Sequence, residues 1–242
     1  MINSFLFVAR FSAPLAIVLL AGSYESLAAS PDTHVIGQLA QTTPASAPAP
    51  AVANGNKKLR DAAEPFEKLT EISFSAALPA IDQTIGEAEA AAQGTRGLLA
   101  NDAARQLDTQ MSAIKSARRK QDRAGLALSS IEAYRVLVSA VTDTAKVPTE
   151  VSLLDYAGFR FDADLKANPV RWGDMAQAVS FARKNWGAIS PRLKSSPLAI
   201  NFEKAIADMD KAVVKKSKQL ATSSVKTELD LVDGLEKFFT AQ

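Results

Sequence analysis

The sequence predicts an all-α protein: an antiparallel helical bundle of six or seven helices, preceded by a signal peptide and a disordered Pro/Ala-rich linker. Two observations carry the helical reading. From Lys57 onward Ala, Leu, Lys, Glu, Gln and Arg prevail, residues of high helix propensity. Apolar side chains recur there at three- and four-residue intervals, the period that lines one face of a helix, and no alternating stretch marks a strand. A third observation sets the start of the fold: residues 29–56 are dominated by Pro, Ala, Ser and Thr and have too few large apolar side chains to offset the entropy of ordering them.

Each element can be justified in turn. Helix one covers about Lys58 to Ala92, with Phe74, Leu78, Ile81, Ile85, Ala88 and Ala92 on one stripe. Pro79 should kink or break it, because it lacks an N–H and its ring meets the preceding turn. Helix two runs from about Leu98 to Lys120 on Leu107, Met111 and Ile114. Helix three spans about Asp122 to Thr144 on Ala127, Ile131, Tyr134, Val138 and Val141. Helix four spans about Glu150 to Ala167, with Thr149 as a cap and Glu150 suited to the helix dipole. Val151, Leu154, Gly158, Phe161 and Leu165 form one stripe, while Leu153, Tyr156 and Phe159 are apolar on other sides. A helix apolar nearly all round is buried on several sides, so this is the expected central helix. Gly158 on its seam implies close approach of a neighbour.

"NPVRWGD" restarts the chain, with Asn168 as N-cap and Pro169 at N1. Helix five then carries Trp172, Met175, Val179, Ala182, Trp186 and Ile189 at alternating three- and four-residue steps. Helix six runs from about Pro197 to Leu220 with Phe202, Ile206, Met209 and Val213 inward. A last helix, about Ser224 to Phe239, either stands alone or continues helix six through a bend.

Residues 1–28 read as a secretory signal. Arg10 precedes a short apolar run, Phe11 to Gly22, and Ser26-Leu27-Ala28 is a small-x-small cleavage signal. The run is shorter than the roughly 20 residues of a spanning helix, so cleavage after Ala28 and a periplasmic location are expected. The domain plan is therefore signal peptide 1–28, linker 29–56 and helical bundle 57–242.

Composition narrows the chemistry. With no cysteine there is no disulfide, no thiolate ligand and no thiol nucleophile. The single histidine, His34, lies in the linker, so no Ser-His-Asp machinery assembles in the bundle. Asp162-x-Asp164 and Asp208-x-Asp210 open like calcium loops but lack the glycine at position six and the Glu at position twelve. Met111, Met175 and Met209 fall at core positions and read as packing, so no cofactor is expected. A net charge of +2 without aromatic interleaving in the basic runs argues against nucleic acid. Weak membrane contact through the Lys/Arg faces stays open.

The stretch "VSLLDYAGFRFDADLKANPVRW" gathers the most polar and aromatic groups. Arg160 stands four residues from both Tyr156 and Asp164, the spacing of side chains that meet on a helix. Asp155 has no opposite charge at that spacing and needs a donor from another helix, Arg135 or Arg171. The candidate binding residues are Tyr134, Asp155, Tyr156, Arg160, Trp172 and Trp186. They suit a non-enzymatic binding or scaffold module whose partner is another periplasmic protein or a small ligand. A metal or cofactor carrier with oxygen ligands and a carboxylate-dependent enzyme are the alternatives.

Overall fold

The structure, a computed structural model, describes residues 50–142, 147–194 and 196–242, with side chains from residue 54 onward. The signal peptide and most of the linker lie outside the described residues. Among the described residues there are eight α-helices and no strand: α1 (Pro50–Ile72), α2 (Leu78–Thr95), α3 (Asn101–Arg119), α4 (Arg123–Ser139), α5 (Thr149–Lys166), α6 (Trp172–Leu193), α7 (Pro197–Lys215) and α8 (Lys218–Thr240). None is long and apolar enough to cross a membrane.

The all-α expectation holds, but the helix number rises from six or seven to eight. The added helix comes from a full break in expected helix one. α1 ends at Ile72, and α2 restarts with Pro79 in its first turn, where a missing N–H leaves no helical bond unmade. Arg123 closes the break by donating to the carbonyls of Ser73 (2.8 Å) and Ala76 (3.0 Å). The last two helices are separate, because Lys216 adopts a left-handed conformation (φ 47°, ψ 41°) that ends α7. Ser217 then caps α8, its hydroxyl accepting from the Leu220 N–H. Two cap assignments also differ. Pro148, not Thr149, occupies the N-cap of α5, and α6 starts at Trp172, after a turn in which the Asn168–Pro169 peptide is cis.

α1 begins at Pro50, ahead of the expected boundary at Lys57. Asn56 there is buried, and its side-chain oxygen accepts from the Thr142 N–H at the end of α4 (3.1 Å).

The helices form two four-helix groups. In the first, α1 packs on α2 and α4, and α3 on α4, around Phe66, Leu69, Ile81, Ile114 and Ile131. In the second, α5, α6, α7 and α8 close a ring around Phe161, Met175, Phe202, Met209 and Phe239. Short turns join packed neighbours, so consecutive helices in the ring run antiparallel. α5 belongs to both groups. Val151, Leu154, Phe161 and Leu165 enter the second core, whereas Tyr156 and Phe159 enter the first. Twelve of its 18 residues are buried, which leaves almost no solvated face for its charged side chains.

Gly158 marks the tightest approach to α5. A Cβ there would stand 2.1 Å from Glu228 Oε2 and 2.7 Å from Leu229 Cδ2 of α8. Glu228 is itself fully buried and has no water to retreat into. Gly158→Ala should therefore destabilise by about 1–3 kcal/mol in urea unfolding, overpacking outweighing the gain in helix propensity. Gly187→Ala on α6, where nothing lies within 4 Å, should instead stabilise by up to about 1 kcal/mol. Equal effects at the two positions would contradict the close α5–α8 packing.

Candidate functional site

Three helices bring polar side chains together beside α5. Tyr156 donates its hydroxyl to Glu132 Oε1 of α4 (2.6 Å) and accepts from Arg160 Nη1 (2.7 Å). Arg160 Nη1 also donates to the same Glu132 oxygen (2.8 Å), closing a triangle. Arg135, one turn along α4, donates Nε to Glu132 Oε2 (2.9 Å) and places its guanidinium 5.7 Å from the Tyr156 ring centroid. From α6, Phe181 meets Tyr156 edge to face at 5.1 Å. Glu132 is thus held by two guanidinium groups and a phenol. Such charge-assisted bonds are stronger than neutral ones and fix all four side chains in place. Burial, with the Glu132 carboxylate alongside, pushes the Tyr156 hydroxyl up to about 12.

Asp164 lies one turn further along α5. Its backbone carbonyl accepts from the Arg171 N–H (3.1 Å), which pins the α5–α6 turn over it. Its side chain is only 1% exposed. Arg160 Nε and Arg171 Nη1 each stop 4.0 Å from a carboxyl oxygen, beyond hydrogen-bond reach. Neither Asp164 oxygen has a hydrogen-bond partner, and neither does Arg160 Nε. A buried polar atom left so costs about 1–3 kcal/mol. Burial, then Asp174, push the Asp164 carboxyl up from the ordinary value of 3.8 to about 6, against the pull of Arg160 and Arg171. Above these groups opens a shallow cleft of about 200 Å³, walled by Gln110 of α3, Ser129 and Glu132 of α4, and Arg171 and Asp174 at the start of α6.

The six residues singled out in the sequence do not form one site. Tyr156 and Arg160 meet as described. Asp155, on the next face of α5, is buried and lies near Tyr134 rather than the cleft. Burial and the acids Glu67 and Asp155 hold the Tyr134 hydroxyl well above its usual value, while Ser152 hydrogen-bonds it. Of the arginines suggested as donors to Asp155, Arg135 bonds Glu132 and Arg171 faces Asp164. Trp172 is half-buried against the second core. Trp186 lies inside that core, stacked on Phe202 at 4.6 Å, with Nε1 donating to Glu203 (2.5 Å). Glu132 was not legible as a site residue. It stands 24 residues from Tyr156 and 28 from Arg160, and its only sequence signal was Arg135 three positions on.

Two other clefts are less suited to a ligand. The α2–α3 cleft is flanked by the ion pairs Glu89–Lys115 and Arg96–Asp108, and the α7–α8 cleft by Lys204–Asp208. Compared with known proteins, the chain matches no family model, no curated protein and no solved structure.

Asp164 makes stability depend on pH with a definite sign. The native carboxyl keeps its proton to about pH 6, the unfolded one only to its ordinary value of 3.8. Folding takes up a proton between these values, so the contribution of Asp164 falls as pH rises from about 4 to 6 and stays low above. Asp164→Asn should be about 2–3 kcal/mol more stable than wild type at pH 7 and close to it at pH 4. Urea midpoints at the two pH values check this; a gain of the same size at both would exclude it.

Proposed function

We propose that this chain is an exported, non-enzymatic binding protein that recognises a small ligand through the cleft over Glu132, Arg160 and Asp164. The carrying observation is the mutual fixing of Glu132, Tyr156, Arg160 and Arg135 beside an opening. Groups already held by their neighbours pay little to be ordered when a ligand arrives. The modest volume of the cleft favours a small molecule over a segment of another protein.

A second reading, a carboxylate-dependent enzyme, draws on Asp164, whose proton is held near the pH range useful for acid catalysis. Against it stands Glu132, whose two carboxylate oxygens are already engaged by Arg135, Arg160 and the Tyr156 hydroxyl. No three acidic side chains among the described residues are placed to hold a metal ion, and no other observation favours a metal carrier.

Thermal melts in a small-molecule extract of the periplasm test the binding reading. The wild-type midpoint should rise, and Arg160→Ala, folded by circular dichroism, should lose that rise. An equal rise in both proteins would move the site elsewhere; turnover of a substrate that Asp164→Asn abolishes would favour the enzyme. Export is tested separately: N-terminal sequencing of the periplasmic form should begin at Ala29, and retention of Met1 would contradict cleavage.

A further inference from the structure

The unfilled part of the cluster lies around Asp164. Two carboxyl oxygens and Arg160 Nε are buried there without hydrogen bonds, and two guanidinium groups stop at 4.0 Å. That separation is too long for a direct bond, but one oxygen atom between the groups could bridge them. Unpaired buried groups are rare in folded proteins, and three that converge point to a polar group between them, a water or the hydroxyl of a ligand.

Their chemistry restricts that group. Asp164 needs a donor and Arg160 Nε needs an acceptor. An ammonium could satisfy only the first, and a carboxylate or phosphate only the second. A hydroxyl satisfies both, as a water it displaces would. The surroundings agree: Gln110 and Ser129 add an amide and a hydroxyl, and both donate and accept. Glu132, Asp164 and Asp174 face Arg160 and Arg171, so the charges nearly cancel and give no strong pull on an ion.

We infer that the cleft between α3, α4, α5 and α6 binds a neutral polyhydroxylated ring, a sugar or cyclic polyol, with one hydroxyl seated between Asp164 and Arg160. This rests on the binding reading above and names the ligand class. Entry requires the half-exposed Arg171 to swing aside while Arg160 stays on Glu132 and Tyr156, because the Asp164 oxygens are covered in the free protein.

Calorimetric titration with D-glucose, D-galactose and myo-inositol tests the inference. At least one should bind saturably to the full chain. Asp164→Ala, checked for folding by circular dichroism, is the decisive variant, since it removes the acceptor for the seated hydroxyl, whereas asparagine would keep an accepting amide oxygen. Asp164→Ala should weaken binding at least tenfold, and Gln110→Ala should weaken it less. Lys226→Ala, in an exposed pair on α8, should change nothing. Saturable binding that Asp164→Ala leaves intact would overturn the inference, as would no binding of any of the three. If those sugars fail while the extract still shifts wild type and not Arg160→Ala, the ligand class is wrong and the binding site stands. If both experiments fail, the binding reading falls as well.

Discussion

The architecture depends on α5 having no free side. It supplies Phe161 and Leu165 to one four-helix core and Tyr156 and Phe159 to the other. A helix on the rim of a bundle can turn its charges to water. α5 can do so only at a few positions such as Lys166, so its buried polar side chains must find a partner or bear the cost of burial. Gly158 belongs to the same constraint, since the approach of α8 leaves no room for a Cβ at that point.

That constraint shapes the polar cluster. Arg160 is drawn in two directions, towards Glu132 across the α4–α5 interface and towards Asp164 one turn away on its own helix. It makes hydrogen bonds only to the first pair, Glu132 and Tyr156. Asp164 is left with distant attraction and no direct bond, and its environment disfavours the charged form. A packed protein seldom keeps such an arrangement for stability alone. Replacing buried ionic groups with uncharged ones is often neutral or stabilising. The proposed recognition of a ligand draws on this same arrangement.

Much of the fold was legible because its signals are local. The three- and four-residue steps of Trp172, Met175, Val179, Ala182, Trp186 and Ile189 foretold the inward face of α6, although its tryptophans serve packing rather than the cleft. The breadth of the apolar surface from Val151 to Leu165 foretold the central position of α5, and Gly158 foretold a close neighbour. The helix number was less secure. Pro79 allowed either a kink or a break, and the break is closed by Arg123, which bonds the carbonyls of Ser73 and Ala76, 50 and 47 residues away in the chain. Lys216 gave no sign of a left-handed conformation, because a lysine normally continues a helix.

The site was legible only where its partners share a helix. Tyr156, Arg160 and Asp164 stand four residues apart, and that spacing placed them together from sequence. Glu132 and Arg171 were invisible as their neighbours, since the contacts depend on which faces of α4, α5 and α6 meet. The sequence by itself determined that this is a helical protein without thiol or imidazole chemistry in its bundle, because periodicity and composition are properties of the chain. Tertiary structure alone decided which charges pair and which carboxyl goes without, because pairing is set by distances across helices that the order of residues does not record.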